Sequence, residues 1–362
     1  MNGYLTYVDA DTLFAVPFDR DRLELTDAPT PLVRGIRSTA GAPQVAFSQT
    51  GSMIYVSGQP QSFTNSPVWV DANGRENPTS ATGRAMAQPR ISTDGRYVAV
   101  AMRSGTLDLW SFELARGTWS RLTYDKQSTF PVWHPGATAV TCASGQQGAM
   151  GIFTTPIGAT IGEPRVTGND RAHIPLSWSP DGHALAYVSV DPLTGQDIWI
   201  YSPAAAEKPR PFLLTPFREG SPQFSPDGRW IAYVSDESGQ NEVYVRPYPG
   251  PGDKWTISTD GGSEPVWTRG SRQIFYRKGN AMMVVDTTLS PAFSAGKPRQ
   301  LFERAYDPSG AFWPNDDVTP DGQRLLMVKP DEVSASPVQI NVVLNWFDEL
   351  KSQLSSADRA AR

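Results

Sequence analysis

Residues 178–201 read WSPDGHALAYVSVDPLTGQDIWIY, and residues 224–234 repeat the opening of that stretch as FSPDGRWIAYV. In both, an aromatic residue precedes a tight-turn motif and a run of Val, Ala, Ile and Tyr, which favour β-strands. Ser-Pro-Asp-Gly suits a turn because Pro presets its φ, Asp bonds its own downstream backbone and Gly accepts a positive φ. Each stretch therefore predicts a β-hairpin, in which the motif needs no catalytic role.

The hairpin recurs along the chain at nearly constant intervals of 44, 42, 45, 46, 43 and 51 residues. We call the first residue of each copy an anchor, and the seven anchors are Phe47, Ile91, Trp133, Trp178, Phe224, Trp267 and Val318. A third and a fourth strand follow most hairpins, as QDIWIY and RPFLLTP do after Trp178. The turn residues to which we assign a structural role are Asp94, Gly95, Asp181, Gly182, Asp227, Gly228, Asp321 and Gly322.

Four short antiparallel strands in each repeat predict an all-β fold, a single β-propeller built of four-stranded blades. A solenoid of helical repeats would need helical periodicity over ten or more residues without breakers, and 31 Gly and 32 Pro interrupt this chain. Residues 44–302 supply six four-strand units, and both ends are incomplete. N-terminal strands that complete the final blade would give seven blades, which we favour.

Six or eight blades are the alternatives. Eight would arise if the N-terminal strands YLTYV, TLFAVPF and PTPLVRGI formed their own blade, completed by the C-terminal strand, although no Ser-Pro-Asp-Gly-like strand precedes them. Six would leave an end segment outside the ring. We expect residues 1–347 to form the propeller domain, its ends joined to close the ring, and residues 348–362 to form a short polar tail.

Composition restricts the possible partners. The net charge of −5 lacks the basic excess typical of nucleic-acid binding, and no apolar run approaches the roughly 20 residues of a membrane span. We therefore expect no nucleic-acid partner and no membrane insertion of this chain. The single cysteine, Cys142, lies in the strand-like AVTCAS and is interpreted as a structural residue.

Catalytic motifs are absent from the sequence. It has three histidines and contains no HExxH, GxSxG or CxxC motif and no phosphate-binding glycine loop. We expect a non-enzymatic protein without catalytic residues, metal or cofactor. The alternatives are a propeller enzyme of the lyase type, which would need His and acidic side chains converging on the channel, or a peptidase-associated propeller that lacks its hydrolase domain.

The segments that join the fourth strand of one blade to the first strand of the next are predicted to cluster at one mouth of the channel. A proline stands two residues before four of the anchors, at 89, 131, 222 and 265, and fixes the entry angle of each strand. We predict that the polar residues of these segments contact a partner, a protein or a small ligand: Ser128, Thr129, Arg171, His173, Glu219, Ser221, Ser263 and Glu264.

The strings WSPDGHALAYV and FSPDGRWIAYV resemble the PD40 (WD40-like) repeat of TolB-type propellers. LFAVPFDRDRLELT, RLTYDKQSTFPVWHP and QINVVLNWFDELK further resemble the C-terminal sensor-like region of a group of bacterial Ser/Thr protein kinases, over about residues 3–351. That resemblance implies a sensor or scaffold module in an extracytoplasmic (periplasmic) position. The kinase role does not transfer, because the sequence has no HRD, DFG or VAIK string.

Overall fold

A computed structural model describes residues 2–39, 42–58, 65–81, 84–103, 106–145, 149–157, 164–166, 171–192, 195–203, 208–268, 272–307, 312–331, 339–348 and 350. The chain divides into two compact units. The flanking unit comprises Met1–Phe63 and Glu332–Arg362, and the propeller unit comprises Thr64–Asp331. Within the described ranges, no helix has the length and hydropathy needed to cross a bilayer.

The flanking unit contains two main sheets and a small hairpin. Its strands are β1 (Asn2–Asp9), β2 (Thr12–Asp19), β3 (Glu24–Leu25), β4 (Thr30–Val33), β5 (Ser38–Thr39), β6 (Ala42–Pro43), β7 (Val45–Phe47), β8 (Met53–Ser57) and β34 (Gln339–Val343). In the first sheet β2 pairs with β1 on one side and with β3 and β4 on the other, and the second sheet has the order β34-β8-β7. The hairpin is β5-β6.

The described residues of the propeller unit form six antiparallel sheets. Its strands are β9 (Asn65–Asp71), β10 (Glu76–Pro78), β11 (Ala85–Ile91), β12 (Tyr97–Arg103), β13 (Leu107–Glu113), β14 (Thr118–Arg121), β15 (Ser128–Trp133), β16 (Ala139–Ser144), β17 (Gly151–Pro156), β18 (Pro164–Val166), β19 (Ala172–Trp178), β20 (Leu185–Asp191), β21 (Gly195–Tyr201), β22 (Arg210–Leu213), β23 (Glu219–Phe224), β24 (Trp230–Ser235), β25 (Glu242–Pro247), β26 (Trp255–Thr256), β27 (Ser263–Trp267), β28 (Gln273–Lys278), β29 (Ala281–Thr288), β30 (Ser294–Ala295), β31 (Arg299–Glu303), β32 (Asp316–Val318) and β33 (Arg324–Pro330).

We number the sheets as blades. Blades 1 to 4 are β11–β14, β15–β18, β19–β22 and β23–β26, blade 5 is β27–β31, and blade 6 has the order β32-β33-β9-β10. The first strand of each blade contacts the first strand of the next, and β32 contacts both β27 and β11. The six inner strands therefore form a closed circle, and blade 6 closes it with two strands from each end of the unit.

The all-β propeller fold predicted from the sequence is confirmed, and the favoured number of seven blades is not, since the closed circle has six. The first of the six four-strand units counted in residues 44–302 is wrong, because the hairpin at Phe47 and the strand SPVWVDANG that follows it belong to different sheets. That strand, β9, pairs with β33, whereas β8 pairs with β34. The assignment of residues 1–347 to one propeller domain stays a prediction, and most of the predicted tail lies outside the described residues.

The turns have the structural role predicted for them. In blade 4, Ser225 Oγ donates a hydrogen bond to Asp227 Oδ1 at 2.6 Å and accepts one from the Trp230 amide at 3.0 Å, while Gly228 has a φ of +71°. Equivalent bonds occur at the turns of Asp94, Asp181 and Asp321. These bonds lower the carboxyl pKa at Asp181 and Asp321. The aspartate side chains therefore stabilise the turns.

The hydrophobic core lies between neighbouring blades. Ala99, Ala101 and Leu109 of blade 1 pack against Trp133 and other side chains of blade 2, among them the fully buried Cys142. The Trp133 indole also donates a hydrogen bond to the Arg90 carbonyl at 2.8 Å, and Trp267 makes the same contact with the Gln223 carbonyl at 3.2 Å. A tryptophan anchor therefore joins two blades by both packing and a hydrogen bond.

Candidate binding site in the propeller channel

Four of the six inner strands bend at the same position, three residues before the anchor. Gln88, Phe130, Ser221 and Glu264 have φ between +48° and +57°, and each directly precedes one of the prolines noted in the sequence. The strand pairing shifts register at each of these sites. Such bulges re-aim the strand and its side chains. Here the side chains of Gln88 and Glu264 point toward the equivalent positions of neighbouring blades, as their hydrogen bonds show.

Hydrogen bonds join these equivalent positions around half of the circle. The Phe130 amide donates to Gln88 Oε1 at 2.9 Å, the Gln88 amide to Asn315 Oδ1 at 2.7 Å, and the Asn315 amide to Glu264 Oε2 at 2.8 Å. Blade 3 has Pro175 at this position, which lacks an amide hydrogen. Side chains thus connect the inner strands of blades 2, 1, 6 and 5 in turn.

An aromatic pair from the segment before β32 packs against inner strands on the far side of the circle. Trp313 lies 5.3 Å from the ring of Phe130 in blade 2, measured between ring centroids. The buried Phe312 lies against Gly220 in blade 4, and the Arg218 guanidinium stands 4.6 Å from the centre of its ring. Blade 6 therefore reaches blades 2 and 4 across the channel, and its aromatic pair contacts residues near the start of their inner strands.

The opposite end of the channel contains a cavity of about 240 Å³, beside the anchors and the turn prolines. All six inner strands contribute to its wall, and the lining residues are Arg90, Ile91, Ser92, Val132, Trp133, Pro135, Leu176, Ser177, Trp178, Pro180, Gln223, Phe224, Ser225, Pro226, Val266, Trp267, Asp317, Val318 and Pro320. Apolar walls with a few placed polar groups are typical of ligand sites.

Most polar groups of the cavity wall also hold the blades together. Arg90 donates to the carbonyls of Pro314 and Asp316 at 3.0 and 3.1 Å, and Asp317 Oδ2 accepts from the Ile91 amide at 2.7 Å. Ser177 Oγ accepts from the Phe224 amide at 3.0 Å. Within the described ranges, the Gln223 side chain makes a single hydrogen bond, a long one of 3.4 Å from its Nε2 to the Leu176 carbonyl. The side-chain amide of Gln223 is therefore the cavity group most available to a ligand.

The eight residues predicted to contact a partner lie at the other end of the inner strands, and none lines the cavity. Five are buried: Ser128, Thr129, Glu219, Ser221 and Glu264. Ser128 Oγ donates to Asp125 at 2.7 Å and Thr129 Oγ1 to Gln88 at 2.9 Å. Arg171, His173 and Ser263 keep partial exposure, and Arg171 forms an ion pair of 2.8 Å with Asp191.

Two of the buried residues are glutamates with raised pKa values. Burial raises the pKa of Glu219 to about 7, against a hydrogen bond from Thr215 and with the aid of the negative charge of Asp197. Burial and the negative charge of Asp316 raise the pKa of Glu264 above its ordinary value, and the positive charge of Arg277 opposes this shift. Carboxyl groups out of water favour the neutral form. Each of the two strands therefore carries, near its start, a carboxyl group whose pKa is raised by burial.

The sequence prediction missed the cavity residues. Arg90, Gln223 and Asp317 stand directly before the anchors Ile91, Phe224 and Val318, so the repeat itself locates them. What it does not indicate is which end of the inner strands has free space, because that depends on the aromatic pair of blade 6. Among the described residues, no group of three or more His, Cys, Asp and Glu is arranged to hold a metal ion.

Comparison with known proteins supports the fold. No protein-family profile and no curated protein matches the chain. A putative TolB from Agrobacterium tumefaciens is 18% identical, with 75% of this chain and 100% of that chain covered and a TM-score of 0.60. TolB from Acinetobacter baumannii is 13% identical, with 93% and 80% covered and a TM-score of 0.50. The chain is thus a propeller protein of the TolB-like fold, and at these identities the likeness extends to the fold alone.

Proposed function

We propose that this chain is a non-enzymatic binding module that receives part of a protein or a small ligand in the channel cavity, in a sensor or scaffold role. The observation that carries the proposal is the cavity of about 240 Å³, to which all six inner strands contribute. A site at the centre of the circle contacts every blade, so an occupant interacts with the whole unit at once.

The size of the cavity favours part of a larger partner. Sites that enclose a complete drug-sized molecule measure roughly 300–1,000 Å³, and this one is smaller. One or two side chains of an extended protein segment fill such a volume, while the rest of the segment lies over the turns. The wall offers tryptophan edges and the Gln223 amide to such an anchor.

The proposed sensor role and extracytoplasmic position rest on the resemblance to the C-terminal sensor-like region of a group of bacterial Ser/Thr protein kinases. The three partly exposed residues at the opposite channel end, Arg171, His173 and Ser263, are proposed as a secondary contact surface for a protein partner. Replacing Arg171 and His173 together by Ala is expected to weaken binding of that partner by about tenfold, with only a small loss of thermal stability from the ion pair with Asp191 and the ring contact with Tyr187. Unchanged affinity would show that Arg171 and His173 do not contact the partner.

The test fills the cavity without removing a core contact. A photo-crosslinking amino acid at position 223 is used to identify the occupant from cells, and the affinity of the purified occupant is then measured by calorimetry. Gln223→Trp should reduce that affinity at least tenfold, because the new ring takes up the free volume. Gln300→Trp, on the exposed surface of β31, is the matched control and should leave binding unchanged. Equal affinity for a folded Gln223→Trp variant would overturn the proposal.

A further inference from the structure

The first sheet of the flanking unit reproduces the last three strand positions of blade 5. In blade 5 a two-residue turn joins β28 to β29, with Lys278 opposite Ala281, and β29 then pairs with both β30 and β31. In the flanking unit a two-residue turn joins β1 to β2, with Asp9 opposite Thr12, and β2 pairs with both β3 and β4. The two arrangements are the same.

The agreement extends to individual positions. The register of β29 with β31 shifts between Met282 and Met283, and that of β2 with β4 shifts between Leu13 and Phe14, which occupy the same places after the turn. The first turn residue has a positive φ in both, +57° at Gly279 and +54° at Ala10. The sheet β1–β4 is therefore a blade with its second, third and fourth strands.

The inner strand is the difference. In blade 5, β27 pairs with β28, so that Trp267 stands opposite Ile274. Ile274 and Tyr276 of β28 are 0% and 2% exposed, whereas Leu5 and Tyr7, the equivalent residues of β1, are 48% and 39% exposed. Among the described residues, β1 pairs with β2 alone. The side chains that an inner strand and its neighbours bury in blade 5 thus face solvent on β1.

The outer edge of β1, which has no strand partner in the part of the chain that the structure describes, lacks the usual features that protect sheet edges within Asn2–Asp9. Exposed edges are usually short, bulged, or interrupted by Lys or Pro. β1 is eight residues long, pairs with β2 without a register shift, and has no charged residue before Asp9. Such an edge offers its backbone amides and carbonyls to another strand.

We propose that the outer edge of β1 binds an extended segment of another polypeptide, which adds to the sheet as its inner strand. The segment runs antiparallel to β1, as β27 runs to β28, and places an aromatic residue opposite Leu5, where Trp267 stands opposite Ile274. Backbone hydrogen bonds provide the affinity, and the apolar surface of Leu5 and Tyr7 selects an uncharged, apolar side chain.

The probe is the heptapeptide GSEPVWT, which is the sequence of residues 262–268 and contains the inner strand of blade 5. Hydrogen exchange of the full chain is followed by mass spectrometry, with and without millimolar peptide. The peptide should slow exchange in residues 2–9 and leave residues 24–33 unchanged. A scrambled peptide of the same composition should have no effect.

Leu5→Lys is the test variant, because a charge at this position opposes strand addition. Leu25→Lys is the matched control, since it makes the same change on the opposite edge of the same sheet, and Leu25 is also exposed. We expect at least tenfold weaker peptide binding for Leu5→Lys and no change for the control, with equal melting temperatures. No protection of residues 2–9 overturns the proposal. Protection that appears without peptide, together with a sedimenting dimer that Leu5→Lys abolishes, also overturns it and assigns the edge to a second copy.

Discussion

Gly220→Ala tests whether the aromatic pair of blade 6 is packed as described. Gly220 has an ordinary negative φ, so that alanine is conformationally permitted, yet an added Cβ would stand 2.6 Å from Phe312 Cδ1 and 2.7 Å from Phe312 Cβ. Contacts this short force the phenylalanine to move. Overpacking of this kind costs about 1–3 kcal/mol, and complete loss of a buried Phe costs about 3–5 kcal/mol. We expect a loss of about 2–3 kcal/mol.

Gly220→Ala should stabilise the protein, rather than destabilise it, when Phe312 is absent. In a Phe312→Ala background the contact no longer exists, and alanine in a strand is favoured over glycine by about 0.5–1 kcal/mol. The double-mutant cycle should therefore show a coupling free energy of at least about 2 kcal/mol. Thermal unfolding followed by circular dichroism measures it, since 1 kcal/mol shifts the melting temperature of a unit this size by about 2 °C. Equal effects in the two backgrounds would refute the packing.

Three further predictions concern the buried groups. Glu219 has a folded pKa of about 7, above its ordinary value of 4.5, so its contribution to stability is present in acid and is lost as the pH rises from about 4.5 to 7. The free energy of unfolding should therefore change less with pH in Glu219→Gln, by on the order of 1–2 kcal/mol between pH 4.5 and 7 after allowance for solvent screening. An unchanged pH dependence of the free energy of unfolding would contradict this. Trp133→Phe removes the hydrogen bond to the Arg90 carbonyl and should lower the free energy of unfolding by about 1–2 kcal/mol in urea titrations. A loss below about 0.3 kcal/mol would show that this hydrogen bond does not contribute to stability. The Cys142 thiol is fully buried with its pKa raised to about 12, so it should react with a disulfide reagent only after unfolding, and fast reaction of the native protein would contradict its placement.

Local chemistry explains why much of the fold was predictable. Ser225, Asp227 and Gly228 close their turn with bonds that span only a few residues, so the same letters produce the same hairpin wherever they occur. The turn at His134 keeps the same hydrogen bond although its sequence, His-Pro-Gly-Ala, lacks the Asp-Gly pair. There the amide of Ala137 still bonds to the His134 carbonyl, and Ala137, which stands in place of the glycine, has a positive φ of +56°, next to +92° at Gly136.

Strand pairing between distant parts of the chain was less predictable. β8 and β9 are close in sequence, and both are suitable neighbours by composition, yet β9 pairs with β33 and β8 with β34. Any strand of alternating apolar residues can occupy a blade, so the pattern does not specify the partner. The closure of the circle decides it, since β32 and β33 contribute only two strands and require two more.

The repeat, the hairpins, the structural role of the turn aspartates and the all-β propeller class follow from the sequence, because each depends on residues close together in the chain. Only the tertiary structure decided the number of blades in the closed circle, the partners of β8 and β9, and the end of the channel that contains the cavity. The last of these depends on Phe312 and Trp313, which reach Gly220 and Phe130 across the channel. Contacts between residues about 90 and 180 positions apart produce no repeating pattern in the sequence, so they cannot be predicted from it.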